Sequence, residues 1–312
     1  MKYFILLFLC FASSNDIFAQ TVEEAVTLET PTGALEGTLL YPESSMEPLI
    51  VLIVPGSGPT DRNGNNPMMS NNAYKMIAEG LAENNIASLR IDKRGVGASA
   101  GAYGKEIDLR LETYIEDVKS WVALLAQDGR FNEVVITGHS EGSLIGMIAA
   151  QEKAVAKFIS IAGPGEPAGK TLGEQLQGQP DYVKDQAMPI LEKLIRGETQ
   201  DSIPPMLNAL FRPSIQPYII SWFKYDPKEE IAKLNCPVLI LQGTTDIQVA
   251  VRDADNLALG NKNATKVILD GMNHVLKNAE ADRTKNIATY ADPNLPLHNG
   301  LLEAIVDFIT LK

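Results

Sequence analysis

Short apolar runs, each closed by turn residues, recur along the chain with helical patterns between them. Seven of these runs predict β-strands, at residues 35–41, 49–54, 86–91, 133–137, 157–161, 237–241 and 266–269. Several are continuous Val, Ile and Leu stretches, which is typical of strands that are covered on both faces. The alternation of such strands with helices predicts an α/β fold, with a mostly parallel sheet and crossover helices on its faces.

Two segments have the apolar spacing of helices that pack on a sheet. Residues 111–125 place an apolar stripe on one helical face, formed by Leu111, Ile115, Val118, Val122 and Leu125. Residues 301–311 repeat this pattern at the end of the chain. Both are expected to cover the sheet.

The stretch from Gly163 to about Asp226 interrupts this rhythm. It is rich in Gln, Pro and Met, has a helix-like piece at 185–195, and ends in an aromatic run that includes Trp222 and Phe223. We interpret residues 165–226 as a helical lid insertion between two parts of a core, residues 20–164 and 227–312. Trp222 and Phe223 are expected to line an apolar substrate pocket, although packing of the insertion against the core is an equal alternative.

A sharp turn follows the strand predicted at 133–137. Gly138-His139-Ser140-Glu141-Gly142 leads into an apolar helical run, which is the G-x-S-x-G pattern in the strand-turn-helix context that it requires. Any Cβ at Gly138 or Gly142 would collide with the adjoining strand or helix. The pattern predicts Ser140 as a nucleophile and the backbone N–H of Glu141 as an oxyanion donor. His139 is expected to be a packed structural residue.

A serine hydroxyl needs a neighbouring base, usually a histidine that a carboxylate holds in one tautomer. The chain has three histidines, and two of them, His274 and His298, lie outside the turn. His274 directly follows the last predicted strand, where a loop would present it above the sheet. His298 lies at the start of the final helix, where a capping or surface role is expected. His274 is therefore the predicted base.

The carboxylate partner is expected after an earlier strand. Asp246 closes the sequence Pro237 to Asp246, directly after the strand at 237–241. The competing Asp226, Asp253 and Asp270 are expected to open a helix, lie within one and close a strand. The order Ser140, Asp246, His274 is the order found in α/β-hydrolases.

A glycine-rich loop, Pro55-Gly56-Ser57-Gly58-Pro59, follows the strand at 49–54. Such a loop can direct a second N–H, predicted at Ser57, toward the oxygen that Glu141 reaches.

Two weaker motifs resemble a calcium-binding loop and a nucleotide-binding loop, but neither is complete. Asp61, Asn63 and Asn65 alternate like a calcium loop, but Asn72 stands where a bidentate Glu belongs. Residues 95–100 match G-x-G-x-x-A, yet three residues separate them from the strand and no apolar helix follows. We expect no metal and no organic cofactor.

These motifs together resemble α/β-hydrolase-fold serine esterases, in particular bacterial ones with a Gly-Ser-Gly-Pro-x-Asp-Arg oxyanion loop on the serine aminopeptidase-like branch. The resemblance rests on residues 56–62, 90–97, 138–142, 245–249 and 272–277. It implies a serine carboxylesterase that cleaves small-molecule esters, with short- to medium-chain acyl groups, through an acyl-enzyme. Pro55 stands where many relatives have histidine, which bears on the donor geometry. The alternatives are an exported peptidase or amidase of the same fold and a catalytically silent binding protein.

The net charge bears on possible partners, and the N-terminal residues bear on the location of the protein. The net charge of −12 and the lack of a basic run argue against nucleic acid. Residues 1–19 have one Lys, a short apolar run and a small residue near the end, which predicts a signal peptide, with an uncleaved anchor as the alternative. We expect an exported enzyme, periplasmic or secreted, with no stable membrane anchor after cleavage. The oligomeric state stays open.

Overall fold

The computed structural model describes residues 21–43 and 49–311, and its centre is one eight-stranded sheet. The strands are β1 (Thr21–Thr30), β2 (Gly33–Pro42), β3 (Ile50–Val54), β4 (Ala87–Ile91), β5 (Val134–His139), β6 (Val155–Ile161), β7 (Val238–Gly243) and β8 (Thr265–Leu269). Their spatial order is β1-β2-β4-β3-β5-β6-β7-β8. β1 and β2 are antiparallel to their neighbours, and all other pairs are parallel. The predicted fold class is therefore confirmed.

Helices cover both faces of the sheet. They are α1 (Ala73–Glu83), α2 (Leu111–Gln127), α3 (Glu141–Ala149), α4 (Ala168–Gln177), α5 (Asp181–Ile195), α6 (Asn208–Phe211), α7 (Gln216–Trp222), α8 (Pro227–Ile231), α9 (Val251–Gly260), α10 (Arg283–Ala288) and α11 (Asn299–Thr310). Strand β3 shows why its sequence is apolar throughout: Leu52 packs in the core cluster with α2 and α3, whereas Val51 packs in the cluster with α1 and α11.

Strands β2 to β8 lie within two residues of the seven predicted strands. The sequence reading missed β1, which pairs with β2 at the edge of the sheet. Its residues are exposed or half-buried, and it is rich in Thr and Glu. Such an edge strand buries little apolar surface, so it lacks the continuous apolar run by which the others are recognised.

The chain between β6 and β7 folds into the five helices α4 to α8. The predicted piece at 185–195 belongs to α5, which begins at Asp181 and continues through Pro189. Leu194 and Phe211 of this segment are fully buried in the same cluster as α2. The backbone N–H of Leu111 also donates to Ser221 Oγ at 2.8 Å. The segment is thus packed against α2 and hydrogen-bonded to its first residue.

The predicted signal peptide at 1–19 lies outside the described residues. Within residues 21–43 and 49–311, no helix has the length and apolar character needed to cross a membrane. In the same ranges, no three His, Cys, Asp or Glu side chains are grouped as a metal-binding set.

Candidate active site

The turn between β5 and α3 carries Ser140 in a strained conformation. Its φ of 55° and ψ of −125° are rare for a residue with a side chain. Gly142 makes this turn possible, because a Cβ there would lie 2.5 Å from the carbonyl oxygens of Val54 and Pro55. At Gly138 a Cβ would overlap the backbone of Gly142. The steric argument made from the sequence is confirmed, and the half-buried Ser140 is presented at the end of β5.

Asp246 and His274 form a hydrogen-bonded pair at the same edge of the sheet. Asp246 follows β7, His274 follows β8, and His274 Nδ1 lies 2.8 Å from Asp246 Oδ2. Asp246 Oδ1 accepts hydrogen bonds from the backbone N–H groups of Gln248, at 2.8 Å, and Val249, at 3.0 Å. Because the carboxyl ends of parallel strands meet at one edge, residues distant in sequence come together here.

The surroundings of Asp246 keep its carboxylate ionised. Burial by itself raises the pKa of Asp246, but His274 and the two backbone N–H groups outweigh it, so the pKa lies below its ordinary value. With Nδ1 engaged by this carboxylate, the other ring nitrogen of His274 is left for the serine side of the site.

Ser140 and His274 line one cavity of about 140 Å³, which we call the histidine cavity; Ser57, Tyr74, His139 and Tyr290 also line it. Among the described residues, the Ser140 hydroxyl makes no direct hydrogen bond to the His274 ring. Such bonds are often long without substrate and tighten when it binds. The arrangement brings the three predicted triad residues to one place.

The competing residues have other partners. His298 caps α11, where its Nδ1 accepts from the Gly300 N–H at 3.2 Å. Asp226 caps α8. Asp253 lies within α9 and accepts from the Gly165 N–H at 2.9 Å, while Asp270 follows β8 and accepts from Thr244 at 2.9 Å. These placements match the structural roles expected from the sequence.

The two predicted oxyanion donors face a common space. Within the described part of the chain, the N–H groups of Ser57 and Glu141 have no hydrogen-bond acceptor. Glu141 is the first residue of α3, so its N–H has no partner inside the helix. Ser57 and Glu141 line a second cavity together with Ser140.

This second cavity has a volume of about 300 Å³. We call it the aromatic cavity, because Trp222 and Phe223 form part of its wall together with Leu172 and Val249. The structure therefore places both predicted pocket residues beside Ser140. They also pack against the main core cluster, so the two readings of this aromatic run are compatible.

His139 has a larger part in the site than the sequence suggested. Its Nε2 lies 2.8 Å from the backbone oxygen of His274, and its Nδ1 lies 2.7 Å from the Tyr74 hydroxyl. The Tyr74 hydroxyl in turn accepts from the Gly56 N–H at 3.1 Å. Burial, reinforced by His274, lowers the pKa of His139 to about 3, so the ring is neutral. A neutral ring that donates from Nε2 must accept at Nδ1. The Tyr74 hydroxyl therefore donates to His139 and accepts from the Gly56 N–H.

The side chain of Glu141, given no specific partner from the sequence, belongs to a buried network. It accepts from the Tyr218 hydroxyl of α7 and pairs with Lys93 Nζ at 3.5 Å. The Lys93 ammonium also donates to the Gly56 carbonyl oxygen. Burial lowers the pKa of Lys93, and Glu141 partly offsets this effect. Lys93 lies in residues 90–97, one of the segments that carry the resemblance, but no role for its side chain follows from the sequence, and Tyr74 and Tyr218 were not predicted as parts of the site.

Comparisons with known proteins agree with the fold. The family model for serine aminopeptidase, S33, matches residues 68–190, which include Ser140. Est1E from Butyrivibrio proteoclasticus, solved with bound ferulic acid, is 18% identical with a TM-score of 0.62, and the alignment covers 92% of this chain and 100% of that one. The chain has the α/β-hydrolase fold.

Other solved structures resemble this chain to a similar degree. An esterase from Pyrococcus furiosus is 15% identical with a TM-score of 0.55, covering 92% of this chain and 90% of that one. A puromycin-hydrolyzing peptidase from Mycobacterium tuberculosis is 17% identical with a TM-score of 0.55, covering 84% of this chain and 37% of that one. A comparison with curated proteins found no match.

Proposed function

We propose that this α/β hydrolase is a serine carboxylesterase with Ser140 as nucleophile, His274 as base and Asp246 as the carboxylate that orients His274. The observation that carries the proposal is that His274, bonded to Asp246 at 2.8 Å, lines the same cavity as the strained Ser140. The free N–H groups of Ser57 and Glu141 supply the oxyanion hole.

In the proposed reaction, His274 takes the Ser140 proton as the hydroxyl oxygen attacks the ester carbonyl. The carbonyl oxygen becomes negative and accepts hydrogen bonds from the two N–H groups, while Asp246 stabilises the imidazolium. The ester C–O bond then breaks, His274 protonates the departing alcohol, and the acyl group stays on Ser140. Water, deprotonated by His274, attacks the acyl-enzyme and releases the acid.

The two cavities bind different parts of the ester substrate. Because His274 protonates the leaving oxygen, the alcohol lies on the side of the histidine cavity, whose walls contain His274 and whose volume is about 140 Å³. The acyl group then lies in the aromatic cavity of about 300 Å³, against Trp222 and Phe223. This division favours a small alcohol and a short- to medium-chain or aromatic acyl group. The ferulic acid bound to Est1E is an aromatic acid of this kind.

An amidase or peptidase of the same fold is the second candidate, supported by the serine aminopeptidase family model and the puromycin-hydrolyzing peptidase. An aminopeptidase must hold a substrate ammonium group, and a buried cation needs an anionic partner. Among the described residues, the walls of the two cavities contain one carboxylate, Glu141, which is already paired with Lys93 and Tyr218. This pairing favours ester over aminopeptidase substrates.

A panel of p-nitrophenyl esters and aminoacyl anilides, assayed with wild type and Ser140→Ala, tests the proposal. Ester turnover that is lost with the serine is the expected result, and preference for anilides would assign peptidase activity instead. Absence of turnover together with absence of fluorophosphonate labelling would indicate a binding protein. Ser143→Ala is a suitable control, because Ser143 lies on α3 but is fully buried, bonded to Ser160 at 2.7 Å.

We also propose that the enzyme acts outside the cytoplasm, on the composition of residues 1–19. Fractionation of cells that express the full chain, with N-terminal sequencing of the product, tests this. Recovery of a chain in the cytoplasm that still begins at Met1 would contradict it.

A further inference from the structure

We propose that Lys93 is a positioning residue of the oxyanion hole, which holds the Gly56–Ser57 peptide group so that the Ser57 N–H points at the reacting oxygen. The inference rests on the proposed serine esterase function and adds to it a residue that touches no substrate.

Lys93 acts on the oxyanion hole through the geometry of one peptide group. The Gly56 carbonyl and the Ser57 N–H belong to the same planar unit, in which a trans C=O and N–H point in opposite directions. Lys93 Nζ donates to the Gly56 oxygen, so its position sets the direction of the Ser57 N–H. The Tyr74 hydroxyl holds the Gly56 N–H from the other side, at 3.1 Å. Both polar groups of Gly56 are therefore restrained.

Lys93 is also linked to the other oxyanion donor, Glu141. Glu141 contributes its backbone N–H to the site, and its side-chain carboxylate lies 3.5 Å from Lys93 Nζ. One buried ammonium thus contacts the peptide of the first donor and the side chain of the second. Tyr218, on α7 of the insertion, completes the set by donating to Glu141.

The buried charge of Lys93 also affects the energy of the transition state. The Lys93 and Glu141 side chains are only 5% and 3% exposed, so the desolvation of both charges opposes folding. A positive charge bonded to a carbonyl oxygen withdraws electron density from that amide, which makes its N–H a stronger donor. In a site of low dielectric, the charge also favours the negative oxygen of the transition state. Lys93 therefore stabilises the transition state more than the bound ester.

Matched oxygen esters and thionoesters distinguish this role from a purely structural one. A thionoester places sulfur, a poor hydrogen-bond acceptor, in the oxyanion hole, so it gains little from well-aimed donors. For Lys93→Met we expect kcat for the oxygen ester to fall by about 10- to 100-fold, less than the loss of a whole donor, with little change in KM. The thionoester rate should fall much less, so the oxygen-to-sulfur rate ratio should shrink.

Arg94→Met is the matched control. Arg94 is the next residue, is 8% exposed, and pairs with Asp117 at 2.6 Å. Its replacement removes a buried cation from the same strand end but leaves the Gly56 carbonyl bonded. We expect lower thermal stability with an unchanged oxygen-to-sulfur ratio. If Lys93→Met does not fold, Lys93→Gln, with a shorter side chain that cannot keep both contacts, should also lower the ratio.

The outcomes separate the two proposals. Serine-dependent ester hydrolysis with an unchanged ratio in the folded Lys93 variants would overturn the role of Lys93 and leave the esterase intact. Ester hydrolysis that survives Ser140→Ala would overturn the proposed function itself.

Discussion

Replacing Asp246 with Asn tests how the carboxylate acts on His274. In the wild type, Asp246 Oδ1 accepts from the backbone N–H groups of Gln248 and Val249, and Oδ2 faces His274 Nδ1. The backbone donors require the Asn oxygen at the first position, so the NH₂ group faces His274. The ring then accepts at Nδ1 and carries its proton on the other nitrogen, where it cannot deprotonate Ser140.

The structure also indicates the size of the effect. Losing a charge about 4 Å from the imidazolium costs about 4 kcal/mol at an effective dielectric constant of 20, or about three orders of magnitude in rate. The opposite orientation of the Asn amide restores the tautomer of His274 that carries its proton on Nδ1. It also sets the NH₂ group against the two backbone N–H donors, and the only repulsion that it relieves is the longer contact with the Gln242 amide, at 3.2 Å. That net cost, about 1–3 kcal/mol, adds one order or more. We expect kcat to fall by about 10⁴-fold, similar to other serine triads.

The assay is p-nitrophenyl ester hydrolysis under saturating substrate, with circular dichroism to verify the fold. Asp270→Asn is the control, because this residue lies on the neighbouring loop and its carboxylate accepts, from the described residues, only the Thr244 hydroxyl at 2.9 Å. Its activity should be close to wild type. A loss of less than about tenfold in a folded Asp246→Asn variant would assign the orienting role to another residue.

Three further predictions concern stability and specificity. His139 stays neutral in the folded protein down to about pH 3, whereas its ordinary pKa is 6.5, so the unfolded chain binds more protons below 6.5 and stability falls as the pH drops. His139→Gln should remove this loss, which is about 3 kcal/mol at pH 4.5. The free energy of unfolding, measured by urea denaturation at several pH values, tests this. If it depended on pH equally in wild type and variant, the burial of a neutral ring would be contradicted. Gly142→Ala should lower the free energy of unfolding by at least about 2 kcal/mol, because its Cβ would lie 2.5 Å from two carbonyl oxygens, and an unchanged Tm would show that the turn has room. Trp222→Ala should reduce kcat/KM for hexanoyl esters by about tenfold or more and affect acetyl esters little; equal losses would place the acyl group elsewhere.

Much of the fold was predictable because its signals are local. Each buried strand of the parallel sheet needs apolar residues on both faces, so β3 is an unbroken Val, Ile and Leu run and β7 begins with one, at residues 238–241. The turn at Ser140 needs glycine on both sides for steric reasons, so the five residues 138–142 are enough to predict it. The edge strand β1 carries no such signal, because none of its residues is fully buried.

The sequence by itself determined the strand order along the chain, the strained serine, and the loops that follow β7 and β8. From these, the Ser140, Asp246 and His274 set could be chosen, because parallel strands deliver their following loops to a common edge. Only the tertiary structure decided what Lys93, Tyr74 and the Glu141 side chain do. A lysine or tyrosine in a sequence is compatible with a solvated surface, and their partners lie 37 residues away for Lys93 and Gly56 and 65 for Tyr74 and His139. Such pairings depend on which polar groups the fold removes from water together, and local sequence does not specify that.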